Sequence, residues 1–291
     1  MMNYIILDFE WDGSFYPKTG RFINQILQIG AVKLDGEFNI IDTFERTIKS
    51  SFSRRVSKRF AELTGITKED MLSGVPVGMA VKEYNEWAGE DAITLTWSNS
   101  DLYTLIENEK HLFGGIKLKI NKYLDLQSYI QGEMRMLGLE CNSQISLFNA
   151  SQALGIEIDE ENLHNAKADS IAAAKLLKKY YNEKRFCALI QDTNNPEFFE
   201  RLLFKPHFIS DINDESIDKS QLEFICDTCN KPLKRLKKWH FKCGTFFADM
   251  YCENCQKKYS ARVKFRKYYD RVKVYRKLIE TKPAEGADDD M

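Results

Sequence analysis

Two carboxylates one residue apart, Asp8 and Glu10, close the apolar run at residues 4–9. In a strand, residues i and i+2 project to the same side. Two acids on one sheet edge repel, and one holds a proton unless a cation lies between them. Hard oxygen donors suit magnesium or manganese. A solvated strand end would look the same, and an Asp-x-Glu alone is weak. Further acids stand at element ends. Asp101 follows the strand-like run 92–97, where a helix dipole alone would also favour an acid. His164 and Asp169 bracket the start of the strongest helical pattern, 166–181. A helical separation of five turns two side chains apart, so they share a pocket only if His164 belongs to the preceding loop. Histidine suits proton transfer because its ordinary pKa lies near neutrality.

A second set is sulfur. Cys226-Asp-Thr-Cys229 and Cys252-Glu-Asn-Cys255 are separated by 22 residues. In a chain without an export signal, two such pairs read as metal chemistry rather than a disulfide framework. Thiolates in this spacing can wrap one tetrahedral Zn²⁺, which adds folding energy to a small core. A redox pair or four unrelated thiols would not account for two pairs in so small a module. Asn230 and Gln256 follow the pairs, where a tight knuckle needs a turn. Alternating Phe246/Ala248/Met250 and Ala261/Val263/Phe265 predict strands. The module resembles a zinc ribbon over about residues 222–268. His240 and Cys243 lie between the pairs and are expected to stay outside the ligand set.

The 291 residues carry 42 basic and 43 acidic side chains, net -1. That total hides a split. Residues 1–221 hold 25 basic and 33 acidic groups, residues 222–282 hold 17 and 6, and residues 283–291 hold none and 4. An acidic body followed by a basic module fits two jobs. Lys257, Lys258, Arg262 and Arg266 lie in the basic stretch, interleaved with Tyr259, Phe265 and Tyr268. Charge gives a salt-sensitive grip on phosphates, and rings can stack on unpaired bases. A solvated ribbon face with a terminal helix would carry the same charges. Trp11 is a candidate stacking residue or a packed aromatic. No apolar run reaches 18 residues, so no membrane span is expected. The start of the chain lacks the basic region of a secretory signal. A reducing, cytoplasmic setting is expected.

The elements that must position these groups follow from periodicity. Short strands are predicted at 4–9, 26–34, 40–48, 92–97 and 123–126, and helices at 77–87, 102–108, 146–154 and 166–181. Three antiparallel strands followed by alternating helices and strands predict a mixed α/β sheet covered by helices. The expected division is a catalytic domain at 1–186, a connector at 187–221, a basic zinc module at 222–282 and a disordered acidic tail at 283–291. Phe198, Phe199, Leu202, Leu203 and Phe204 predict a docking helix inside the connector.

In five pieces taken in order, residues 3–181 resemble the DEDDh (DnaQ-like) 3′-to-5′ exonucleases. The pieces are Ile-Leu-Asp8-Phe-Glu10, Ile-Leu-Gln28-Ile-Gly30, Phe60 with Leu63-Thr64-Gly65-Ile66, Trp97-Ser-Asn-Ser-Asp101, and His164-Asn-Ala-Lys-Ala-Asp169. Trp11 stands where many members carry Thr or Ser, and Ser98 where many carry Gly. The resemblance is closest to the branch that trims small RNAs and structured RNA ends. It implies a ribonuclease H-like mixed five-stranded sheet flanked by helices. It also implies two Mg²⁺ or Mn²⁺ ions held by Asp8, Glu10, Asp101 and Asp169, with His164 accepting a proton from the attacking water. Two ions about 3.5–4 Å apart stabilise both the attacking and the leaving oxygen of a phosphodiester. The implied partner is a single-stranded 3′ end, RNA favoured over DNA. The alternatives are a DNA proofreading or repair exonuclease, and a nucleic-acid-binding adaptor with an inactive nuclease domain. The intact acidic set argues against the adaptor. Any protein partner is left open.

Overall fold

The N-terminal apolar run becomes the middle of a mixed sheet in this computed structural model, which describes residues 3–141, 143–158 and 164–281. The acidic tail expected at 283–291 lies outside the described residues. The chain divides into two units, Met1–Phe199 and Glu200–Met291.

In the first unit, β1 (Tyr4–Tyr16) and β2 (Arg21–Leu34) form a long antiparallel hairpin, and β3 (Ile40–Thr47) pairs beyond β2. The hairpin outruns the predicted strands, because residues 12–16 pair with residues 21–25 beyond the apolar run at 4–9. Asp12 is held there by the Ser57 N–H at 2.6 Å. Ser57 also caps α1 (Lys58–Thr64), and Thr67 with Asp70 forms a capping box on α2 (Lys68–Ser73).

The chain then runs through α3 (Val77–Ala88), β4 (Ile93–Thr96), α4 (Ser100–His111), β5 (Lys122–Asp125), α5 (Leu126–Met136), α6 (Leu147–Ala153), α7 (Ala166–Tyr180), α8 (Glu183–Cys187) and β6 (Gln191–Asp192). The sheet order is β3-β2-β1-β4-β5-β6. The pairs β1–β4 and β4–β5 are parallel and the others antiparallel. This is the expected five-stranded mixed sheet, with two-residue β6 added at the edge. Ile6, Leu95, Leu124, Tyr129, Leu176 and Leu177 share its core, with Ala172, Ala173 and Ala174 on α7. The segment expected to connect the domains is structured. It contains β6 and α9 (Pro196–Leu203), whose Phe198 is buried with its ring 5.8 Å from that of Tyr123.

In the second unit, β7 (His207–Phe208), β8 (Lys234–Arg235), β9 (His240–Lys242), β10 (Thr245–Cys252), β11 (Lys257–Lys267) and β12 (Val272–Thr281) form a separate antiparallel sheet, with β12-β11-β10-β8 in order, β7 pairing β11 and β9 pairing β10. The predicted alternations hold. Phe246, Ala248 and Met250 on β10 meet Tyr259, Ala261, Val263 and Phe265 on β11 in one core. The C-terminal basic stretch is strand rather than helix, because Val272 and Val274 alternate inward with period two.

Candidate functional site

Asp8 and Glu10 flank Phe9, which is 2 % exposed and anchored in the core. Strand alternation therefore turns both carboxylates to the same side. Immediately after Glu10 the pairing shifts. Glu10 faces Gln28 while Trp11 faces Ile26, which leaves Leu27 as an extra residue on β2. The bulge is closed by three bonds. Ile26 N–H donates to Asn108 Oδ1 at 3.0 Å, Asn108 Nδ2 donates to the Asn24 carbonyl at 2.7 Å, and Ile48 N–H donates to the Leu27 carbonyl at 2.7 Å. Bulges of this kind re-aim side chains beside functional sites. Trp11 is half-buried in β1.

Asp101 comes from the first turn of α4 and is 3 % exposed. β4 pairs with β1 only as far as Ile6, so the β1 edge beyond it is open. The Phe9 N–H there donates to Asp101 Oδ1 at 3.2 Å. The backbone between the two first-strand acids thus holds the third.

Asp169 comes from the first turn of α7, whose cap Asn165 accepts the Ala168 N–H. This end of α7 is tied to the sheet. The Ala166 N–H donates to Gln28 Oε1 at 3.2 Å, and Gln28 Nε2 donates to Glu45 at 3.3 Å. Asn165 and Lys167 also bond Glu45. Asp8, Glu10 and Asp169 each offer a carboxylate oxygen within 4.8 Å of the others. His164 is exposed, in a turn at φ 69, so it does belong to the preceding loop. Its backbone and its ring both favour the charged form of the Asp169 carboxylate.

The electrostatics are those of crowded acids. Burial, then the charges of Asp101, Glu10 and Asp169, push Asp8 well above the usual carboxylate range. Burial with Asp169 and Asp101 lifts Glu10 to about 8. Burial lifts Asp101 to about 7 against the Phe9 hydrogen bond, and Asp169 to about 6 against His164. Asp169 Oδ1 is buried with no hydrogen-bond partner among the described residues. A buried carboxylate oxygen left unpaired is costly, and a cation would satisfy it. The donors are all oxygen, which fits Mg²⁺ or Mn²⁺.

The second cluster comprises Cys226, Cys229, Cys252 and Cys255, whose sulfurs all lie within 4.8 Å of one another. Cys226 and Cys255 are 3.9 Å apart, and Cys229 and Cys252 3.5 Å. A tetrahedron of Zn–S bonds of about 2.3 Å has edges of about 3.8 Å, so the donor set fits zinc. Asn230 and Gln256 sit at φ 56 and 55, turning the chain after each pair. The Tyr259 hydroxyl lies 3.3 Å from the Cys226 sulfur and donates to Asp227 at 2.7 Å. The nearby hydroxyl lowers the Cys226 thiol to about 6, while the neighbouring sulfurs raise Cys255 to about 12. His240 and Cys243 are not in this cluster. His240 stacks on Phe247, and Cys243 is exposed in the β9–β10 turn at φ 47.

Among the basic candidates, Lys257 lies on the Tyr259 side of β11, paired with Glu280 at 3.0 Å and bonded to Thr228. Lys258, Arg262 and Arg266 alternate onto the other side.

The sequence reading assigned no role to Gln28, Asn108 or Asp12. Gln28 and Asp12 carry a signal in hindsight, as polar side chains within β1 and β2 that must find partners when buried. Asn108 carries none for its bulge contacts, because those partners, Asn24 and Ile26, lie more than 80 residues away.

Comparison with known proteins agrees with this geometry. Among curated proteins, DNA polymerase III PolC-type of Bacillus subtilis (strain 168) is 29 % identical over 180 residues, 61 % of this chain and 11 % of that protein. The PolC-type protein of Thermotoga petrophila is 41 % identical over 68 residues, 23 % of this chain and 4 % of that protein. The chain thus spans a small part of these relatives. Among solved structures, the nuclease domain of 3′hExo, a DEDDh family member bound to rAMP, superposes with TM-score 0.51 at 20 % identity, over 61 % of this chain and 90 % of that one. Cell-death related nuclease 4 superposes with TM-score 0.52 at 18 % identity, over 61 % and 62 %. These two likenesses concern the fold. The family profile described as RNase_T, an exonuclease family, matches residues 5–177. With that match covering more than half of its length, and the acids of three separate elements drawn together inside it, the chain belongs to the RNase_T exonuclease family.

Proposed function

We propose that this protein is a divalent-metal-dependent 3′-to-5′ exonuclease that releases nucleoside monophosphates from single-stranded ends, RNA favoured over DNA. The observation that carries the reading is the meeting of Asp8, Glu10 and Asp169 within 4.8 Å, with Asp101 fixed beside them by the Phe9 N–H. Asp8, Glu10, Asp101 and Asp169 would hold two Mg²⁺ or Mn²⁺ ions. When bound, such ions neutralise the acids and stabilise charge on phosphate oxygens.

The chain's own groups do the rest. Phe9 and Gln28 hold the acids in place through the first strand and α7. The exposed His164 ring takes a proton from a water molecule. The water oxygen bonds to the terminal phosphorus as the bond from that phosphorus to the preceding 3′-oxygen breaks. That oxygen leaves with a proton from solvent. The exposure of His164 supports this role, because the base must reach water and substrate together.

The four-cysteine cluster would hold one structural Zn²⁺, and the basic module around it would grip nucleic acid. A second reading, a DNA proofreading or repair exonuclease, is favoured by the likeness to PolC-type DNA polymerases. Matched RNA and DNA strands labelled at either end, with Mg²⁺ or Mn²⁺, decide between the two. Asp8→Asn should abolish stepwise release of nucleotides from the 3′ end. Undiminished release by both Asp8→Asn and His164→Ala would defeat the proposal.

A further inference from the structure

The outward face of the second unit's sheet carries charges and rings in rows. Along β11, Tyr259, Ala261, Val263 and Phe265 are buried, so Arg262, Lys264 and Arg266 point the other way. Strand pairing extends each of them into a rung. Arg262 stands between Phe247 on β10 and Lys277 on β12, and Phe247 stands opposite His240 on β9. Lys264 stands opposite Tyr275. Arg266 stands between Phe208 on β7 and Lys273 on β12. Successive rungs lie two residues apart along one strand, about 6.6–6.8 Å. That step suits a stretched sugar–phosphate chain.

The cations lie over rings. Arg262 is 5.6 Å from the Phe247 centroid, Lys264 and Arg266 are 5.9 and 5.8 Å from that of Phe208, and Lys273 is 5.1 Å from that of Tyr275. Among the described residues, none of Arg262, Lys264, Arg266, Lys273 and Lys277 has a carboxylate partner. Lys234, Lys237, Lys257 and Arg271 in the same unit each have one. Phe208 and Tyr275 are each 42 % exposed. A concavity of about 290 Å³ opens between Phe247, Arg262, Lys264, Tyr275 and Lys277.

Unneutralised cations in a row call for a polyanion, and exposed rings among them call for flat partners. A duplex would offer phosphates but keep its base faces stacked. An acidic protein surface would leave the rings unused. We propose that this face binds an unpaired stretch of nucleic acid, with phosphates on Arg262, Lys264, Arg266, Lys273 and Lys277 and bases against Tyr275 and Phe208. The inference rests on the gripping role given above to the basic module, and names the surface and the strand state it reads.

The test is fluorescence anisotropy on the full chain without added Mg²⁺ or Mn²⁺. The probes are labelled RNA and DNA single strands, the matching duplexes, and an abasic strand of equal length. The wild type should favour the base-bearing single strand over both the duplex and the abasic strand. Tyr275→Ala should weaken binding to the base-bearing strand about 10-fold and leave the abasic strand unaffected, since stacking is worth about 1–3 kcal/mol per base. Tyr275→Leu keeps bulk and removes the ring, and should match it. Combined Arg262→Gln, Lys264→Gln and Lys277→Gln should reduce the salt slope by about 2, at about 0.7 per phosphate on a single strand. Loss confined to RNA or to DNA supports the proposal and names the sugar. Wild-type affinity and slope in all of these variants would overturn this face while leaving a grip elsewhere on the module. A wild type that binds no strand would sink the grip itself. Nucleotide release with Mg²⁺ is scored separately, so a protein that binds without cleaving would refute only the nuclease reading.

Discussion

The backbone of Ala166 lies directly against Gly30, the residue that pairs with Asp8 across the first hairpin. A Cβ at Gly30 would stand 2.6 Å from the Ala166 Cβ and would also overlap the backbone at 166 and 167. Backbone cannot swing aside as a flexible side chain can, so Gly30→Ala should push α7 off the sheet. Overpacking of this kind costs about 1–3 kcal/mol. The denaturation midpoint should fall accordingly. Nucleotide release should fall further than stability alone explains, because Asp169 travels with α7.

His164 gives the opposite pattern. Its side chain is exposed, so His164→Ala should change unfolding free energy by less than about 0.5 kcal/mol. Loss of a general base costs about 10²–10⁴ in rate. Single-turnover hydrolysis beside a thermal melt measures both.

The acidic cluster should make the metal-free protein sensitive to pH. Glu10, Asp101 and Asp169 titrate near 8, 7 and 6 in the folded chain, against about 4 when unfolded. Between those values the folded state holds more protons than the unfolded state, so stability falls as pH rises. The decline should run from about pH 4 and level off above about pH 8. Melting temperatures in metal-free buffer should show it. Mg²⁺ or Mn²⁺ should raise the melting temperature more at pH 8 than at pH 6, because less proton must be displaced.

Tyr259 supports the sulfur cluster from outside it. Tyr259→Phe removes the hydroxyl that touches Cys226 and Asp227. Loss of an outer partner of a metal ligand lowers metal affinity about 10–100-fold. Competition with a chromogenic zinc chelator should read that drop, while Cys226→Ser should lower it further.

Much of the first site is legible in the sequence because it depends on local rules. The i, i+2 spacing of Asp8 and Glu10 fixes a shared side once β1 is a strand, and the helical pattern that starts at residue 166 fixes Asp169 in the first turn of α7. The distances between those elements are not local. Nothing near Asp101 reveals that the Phe9 N–H, 92 residues earlier, will hold it. The hairpin beyond Glu10 was hidden for a similar reason, since its Asp12 is satisfied by Ser57 rather than by water. In the second unit the alternation of β10 and β11 was plain. The rungs formed by Arg262, Phe247 and Lys277 depend on register, which no single strand encodes.

The Phe9 ring is buried in the interior, its N–H holds Asp101, and its two neighbours are Asp8 and Glu10. One residue thus couples the interior of the molecule to its chemistry with no flexible linker between them. Shaving that ring to a smaller apolar group should therefore reveal itself as slowed turnover at temperatures where the chain is still fully folded.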